Sequence, residues 1–488
     1  MKRRATAFAA AATVLAIASS PAAASVRVLH SFSGPDGVSP SSSLVDGGDG
    51  FLYGTTFYGG TVVPDKNPDG YGTVFRVDAS GAFQTVHRFD RVNGERPNGL
   101  VRGPDGLLYG TTSHGGDLDP GSFSGGQGTL FRIDGSGTLT VLHRFLPVEG
   151  LWPSAAPTFG IDGAVYGTAS DDSTYPHYGT IWRWSPAPGL QVLHQFNGFD
   201  GVEPLGPLTL ASDGNLYGTT NGGGSGCGTV FRLSPTGVHT LLHSFSFNDG
   251  CQPKAGVIEA RDGNLYGTTE TGLGWGTVFR MDRAGNVTTL HAFTATGETG
   301  QKPLAPLFEA SDGYLYGTTK QGGLPYGGAD NRGVVFRADL AGAVSVLHTF
   351  RTAEGSTPWS GVVEWAGGIY GTAIAGGAFN RGVVYRLAPA EAEVATLSSL
   401  ALSQTTVVGG ATVVGTVRLS AAAPTGGATV ALASSDPRIA AVPSSVTVSA
   451  GATAATFPVT TKRKRPGAAT ITATYGGSAA TARLTVTR

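Results

Sequence analysis

Short apolar runs separated by glycine- and proline-containing turns fill the chain from about residue 26 to residue 387. One stretch shows the unit clearly. LTLA at 208–211 is apolar, Asp213-Gly214 is a tight-turn pair, and LYGTT at 216–220 is rich in strand-forming residues. A glycine loop leads to GTVFRL at 228–233, Pro235-Thr236-Gly237 turns the chain, and HTLLHSF at 239–245 ends the unit. Four strands, A to D, in about 50 residues match one blade of a β-propeller.

The same pattern recurs seven times. Its tyrosines are Tyr53, Tyr109, Tyr166, Tyr217, Tyr266, Tyr316 and Tyr370. Its strand-C arginines run from Arg76 to Arg386, and its strand-D histidines from His30 to His348. A fixed period with several strands per unit marks a repeat architecture. A side chain needed once for chemistry has no reason to recur in every copy, so these residues are expected to serve packing and hydrogen bonding.

The two ends are complementary. VRVLHSF at 26–32 is a D strand without its own A, B and C, whereas the last unit has A near Val362–Trp365, B and C but no D. Pairing the orphan with the gap would close a ring and remove exposed strand edges. The pattern therefore predicts an all-β, seven-bladed β-propeller with four-stranded blades over residues 25–389, closed by the N-terminal strand.

The combination LYGTT, GTVFR and LHxF resembles the GloVer tandem repeat of exported bacterial proteins, over about residues 26–387. The resemblance implies export and a repeat architecture; it implies no activity.

Composition adds two boundaries. Lys2-Arg3-Arg4, the apolar Ala7–Ala18 stretch and Ala22-Ala23-Ala24 read as a signal peptide over 1–24. Residues 390–397 read as a linker. The alternating, Ala/Thr/Val-rich remainder, 398–488, resembles a bacterial immunoglobulin-like β-sandwich acting as a spacer. No later segment has the 18 apolar residues of a membrane span. The expected location is the cell surface or surroundings of a bacterium, and a monomer is favoured. A formal net charge of -1 gives no reason to expect a nucleic-acid partner. Cys227 and Cys251, the only cysteines, lie in loops expected on the same face, and an exported chain favours a disulfide between them.

Function is expected where the copies differ. The B–C loops vary most: 57–71 and 113–127 are long, while 221–227 is short. Variable loops on a rigid scaffold are where binding usually resides. The candidates are His114, Asp117 and Asp119 in the second unit, and Asp171, Asp172, Tyr175 and His177 in the third. Such acids suit a calcium-like cation or a carboxylate pair for glycosidic cleavage; as plain solvated acids they do neither. Phe57, Tyr58, Tyr71, Phe123, Trp152, Tyr175, Tyr178, Trp275 and Tyr326 would offer flat apolar faces with polar rims. No nucleotide loop, zinc spacing or nucleophile elbow stands in a suitable context. The expected function is non-catalytic recognition of a glycan or extracellular protein, with no cofactor. The alternatives are a polysaccharide-cleaving enzyme using the acidic loops and a structural surface protein.

Overall fold

The computed structural model describes residues 25–62, 68–116, 126–171, 178–323, 331–387, 395–420, 423, 427–449, 452–463 and 465–488. The expected signal peptide and most of the expected linker lie outside these residues. Among the described residues the chain is all-β, with one 3-10 turn at Pro147–Glu149 and no α-helix. It divides into a unit spanning Ala24–Pro389 and a second containing Ala390–Arg488.

In the first unit each repeat folds into its own antiparallel sheet. The first uses Val45–Asp46, Leu52–Thr56, Thr73–Val77 and Phe83–Arg88 in that order. The third divides its first position between Leu151–Pro153 and Thr158–Phe159, both paired with Val165–Asp171. The last sheet, Val363–Trp365, Gly368–Ala373 and Val383–Leu387, is completed by Val26–Ser31, with Val26 opposite Leu387 and Ser31 opposite Val383. The orphan strand thus fills the vacant D position.

Each letter of LYGTT has a physical assignment, seen in the first repeat. Leu52 is fully buried. The Tyr53 hydroxyl donates to Asp49 Oδ2 at 2.7 Å, tying strand B to its own turn. Gly54 makes room for a ring, because a Cβ there would sit 2.5 Å from Phe75 Cζ. Thr55 donates to the Asn98 carbonyl of the following repeat. Thr56 Oγ1 lies 2.8 Å from Thr73 Oγ1 and bolts strand B to strand C.

Consecutive sheets are joined by a repeating aromatic pair. The phenylalanine after each strand-D histidine meets the aromatic residue of the next strand C edge-on. Phe89–Phe131, Phe145–Trp182, Phe196–Phe231, Phe245–Phe279, Phe293–Phe336 and Phe350–Tyr385 have centroids 5.1–5.4 Å apart. Phe32–Phe75, at 5.2 Å, makes the same contact between the last sheet and the first. Such pairs contribute roughly 0.5–1.5 kcal/mol each beyond their burial. The threonine bond between repeats also returns to its start, since Thr372 donates to the Pro40 carbonyl at 3.1 Å.

The C-terminal unit has two sheets around one apolar core. One is ordered Leu397–Leu402, Thr412–Leu419, Ala454–Thr461, Ala440–Ala441. The other is ordered Thr406–Val408, Ser478–Thr487, Gly467–Tyr475, Ala428–Ser434, Ser445–Val448. Alternate residues such as Val413, Val417, Val430, Ile471, Leu484 and Val486 point inward, as a half-buried strand requires.

Candidate functional site

The recurrent histidines and tyrosines hold the scaffold. Nε2 of His30, His143, His194 and His243 lies 2.7–3.0 Å from the carboxylate six residues on, which starts the Gly-x-x-Pro corner. His87 makes the same contact with Asn93 and His291 a longer one with Thr299. Burial lowers the pKa of His30, His87 and His291, so these rings are held neutral. Tyr217, Tyr266 and Tyr316 bond their turn aspartates as Tyr53 does. Tyr370 has Ala366 in place of the aspartate, and its hydroxyl is buried without a partner.

The Gly-x-x-Pro corners hold a feature that turn chemistry alone does not explain. The residue before each proline is left-handed: Ser39, Arg96, Trp152, Glu203, Gln252, Lys302 and Thr357 have φ of 53–61°. A left-handed non-glycine residue costs about 1–2 kcal/mol, and a following proline crowds it further. The conformation is held by backbone bonds. The N–H of Arg96 donates to Tyr71 O at 2.9 Å, that of Gln252 to Cys227 O at 2.8 Å, and that of Lys302 to Trp275 O at 2.8 Å. Each acceptor belongs to the preceding repeat. The proline then lies over a glycine of that repeat: a Cβ on Gly72 would be 2.5 Å from Pro97 Cδ, and one on Gly382 would be 2.4 Å from Pro40 Cδ. One backbone geometry therefore presents seven different side chains. In a chain with 76 glycines, none occupies this position.

On the first three repeats these side chains meet the variable loops. Phe57 and Tyr58 pack edge to face with centroids 4.9 Å apart. The Arg96 guanidinium lies 5.6 Å from each of their ring centres. His114 stacks on Trp152 at 5.8 Å, and Trp152 is 40% exposed. Burial, aided by the Arg96 charge, lowers the His114 pKa to about 4, so this imidazole is neutral. Glu95, opposite His114 in the ladder, has its pKa raised by burial. Asp171 lies opposite Leu151, one residue from Trp152. On later repeats Lys302 lies 5.6 Å from the Trp275 ring, and Asn221 Nδ2 donates to Glu203 at 2.8 Å. Ser39, Tyr58 and Arg381 line an open cavity of about 650 Å³ between the last repeat and the first.

The structure thus brings His114, Trp152 and Asp171 onto neighbouring strands. Trp275 stands apart, half-buried against the core around Phe293. Tyr71, expected among the exposed aromatics, is buried at 7% exposure because it packs with Val74, Phe89 and Leu100. Asp117, Asp119, Phe123, Asp172, Tyr175, His177 and Tyr326 lie outside the described residues. Arg96 was not among the expected site residues; the signal for it is that the residue before proline differs in every copy while the glycine and proline of the corner recur.

Cys227 and Cys251 form the expected disulfide, with S–S 2.04 Å and both cysteines buried. It joins the residue before Gly228 to the corner entering the next repeat, alongside the Gln252 to Cys227 backbone bond.

His194, Asp200 and His239 place their ligand-type atoms within 4.8 Å of one another. The two imidazoles are parallel, 6° between planes and 3.9 Å between centroids. A metal at about 2.0–2.1 Å from nitrogen lies in the ring plane, and two stacked planes do not share such a point. The arrangement matches Phe83 stacked on His30 at 3.5 Å in the first repeat. It is an aromatic stack on the histidine–acid clamp.

The sequence matches the model of the Gloeobacter/Verrucomicrobia repeat in three overlapping segments, 12–155, 120–325 and 222–431. No curated protein matches it significantly. Among solved structures it is similar to XC5397, a gluconolactonase from Xanthomonas campestris, at 17% identity and TM-score 0.39, covering 64% of this chain and 95% of that one. It is similar to PorZ, a surface component of the type-IX secretion system of Porphyromonas gingivalis, at 12% identity and TM-score 0.40; 90% of this chain is covered and 58% of that one. AofleA from Arthrobotrys oligospora gives 10% identity and TM-score 0.38, covering 67% and 90%. Likenesses this remote transfer no activity. No helix among the described residues is long and apolar enough to cross a membrane.

Proposed function

The chain belongs to the Gloeobacter/Verrucomicrobia repeat family, and from that premise we propose that it is an exported, non-catalytic recognition protein. Its first unit is read as a seven-bladed propeller closed by Val26–Ser31, and its second as an immunoglobulin-like spacer. The closed ring is supported by the seven aromatic pairs and by the return bond from Thr372 to Pro40. Export is supported by the basic and then apolar N-terminal segment.

One observation carries the recognition reading. Apart from Tyr370, whose hydroxyl has no partner, the recurrent histidines and tyrosines are committed to internal bonds, while the side chains that differ between repeats gather at the B–C loops and the corners facing them. There Arg96, Phe57, Tyr58, His114 and Trp152 combine flat apolar faces with hydrogen-bonding groups, the mixture suited to a glycan or a protein surface. The cleaving-enzyme alternative depends on the acids of the same loops, Asp117, Asp119, Asp171 and Asp172.

The test uses the full mature chain on an array of bacterial and plant polysaccharides and surface proteins, with calcium and with chelator. Each bound polymer is then assayed for new reducing ends over a day. Binding without cleavage is expected. Cleavage abolished by Asp117→Ala or Asp171→Ala would replace this reading with the enzymatic one. Failure to bind anything would leave a structural surface role.

A further inference from the structure

We propose that the seven left-handed positions before proline form a ring of specificity-determining residues for a glycan chain, with Arg96 and Trp152 as its principal contacts. The inference rests on the recognition reading above and names the ligand class and the residues that read it. Three observations carry it.

First, the backbone at these positions is invariant and unfavourable, whereas the side chain is different in all seven copies. A repeat that needed only the turn would be expected to use glycine, as it does at most other left-handed positions. Strain kept at equivalent sites, with a side chain that changes each time, is the pattern of a position retained for what it presents.

Second, these side chains build platforms across the seams between repeats. Arg96 enters with the second repeat and lies over Phe57 and Tyr58 of the first. Trp152 enters with the third and stacks on His114 of the second. Lys302 enters with the sixth and lies over Trp275 of the fifth. Each pair offers a flat face beside N–H donors. A sugar ring needs both, one for its C–H face and one for its hydroxyls.

Third, the charges around the ring are of mixed sign. Glu203 stands between the cationic positions in ring order, and the cations lie on aromatic rings rather than forming one basic field. That disfavours a uniformly anionic polymer and suits a chain of largely uncharged sugars, whose repeating residues can meet successive platforms.

The experiment replaces Arg96 or Trp152 by glycine in the full mature chain. It measures glycan-array preference, affinity for the best polysaccharide and the thermal midpoint. Glycine relieves the left-handed conformation, so a purely structural role predicts little change in binding. The proposal predicts affinity weakened by about tenfold or more, the scale of a central contact, with the midpoint little changed. Trp152→Phe retains a flat ring and should restore most of the binding, which separates a lost platform from a disturbed fold. A wild-type chain that binds a glycan while both glycine variants keep its affinity and preference would overturn the ring and leave the recognition reading standing. A wild-type chain that binds only protein, or nothing, would overturn the ligand class itself.

Discussion

Closure of the ring is open to a double-mutant cycle at the seam between the last repeat and the first. Gly382 has φ of 101° and would place a Cβ 2.4 Å from Pro40 Cδ and 2.7 Å from Ala373 O. Gly72, at an internal seam, has φ of 97° with Pro97 Cδ at 2.5 Å and Thr56 O at 2.6 Å. Gly50, at φ of 89°, would meet nothing within 4 Å and reports the backbone cost alone. Gly50→Ala should therefore cost about 1–2 kcal/mol. Gly72→Ala and Gly382→Ala add overpacking of about 1–3 kcal/mol each. Part of that clash is with the repeat's own carbonyl and would persist in an open ring. The proline part would not. Urea unfolding of Gly382→Ala, Pro40→Ala and the double variant isolates it, with Gly72→Ala and Pro97→Ala as the internal standard. A closed ring predicts similar coupling at both seams, about 0.5–2 kcal/mol once the carbonyl part is set aside. Coupling between 72 and 97 with none between 382 and 40 would refute the closure argument.

Other outcomes follow from single features. Removing the disulfide by Cys227→Ala with Cys251→Ala should cost about 3 kcal/mol in the chain-entropy account of a loop of this length, measured by urea unfolding with and without reductant. The His114 pKa of about 4 lies below its ordinary 6.5, so between those values the unfolded chain binds the extra proton. His114 therefore contributes stability that is whole above pH 6.5 and declines as pH falls towards 4; His114→Gln should flatten the stability–pH curve in that window relative to wild type. Tyr217→Phe removes a bond to Asp213 and should cost about 1.5–3 kcal/mol. Tyr370→Phe, whose hydroxyl has no partner, should be neutral within about 0.5 kcal/mol.

Much of the scaffold is legible in the sequence, because repetition separates scaffold from function. Six of the seven tyrosines recur with a turn aspartate and five of the seven histidines with a carboxylate six residues on, and the structure joins these pairs by hydrogen bonds. The orphan strand at Val26–Ser31 announced its partner through the strand missing at the other end. The cysteine pair followed from placing two loops on one face. The pre-proline geometry was not readable, since Gly-x-x-Pro also fits ordinary turns and a left-handed φ leaves no signature when the residue varies. Nor could Arg96 be placed over Phe57 and Tyr58, a contact made across a seam by residues about forty apart. Tyr71 misled for a related reason: a loop position in sequence proved to be a core position once the next repeat packed on it.

The pairing of Val26–Ser31 with Val383–Leu387 also imposes an order of events on the newborn chain. Val26–Ser31 has a partner that appears only some 350 residues later in the chain. At about 5–20 residues per second, it waits roughly 20–70 s with both edges open, the state in which strands recruit one another wrongly. Arg27 within the strand, and Gly34-Pro35 soon after it, are residue types that disfavour such pairing. The strand that completes the sheet of Val363–Trp365, Gly368–Ala373 and Val383–Leu387 is therefore, among the described strands, the one that waits longest for its partner while the molecule is being made.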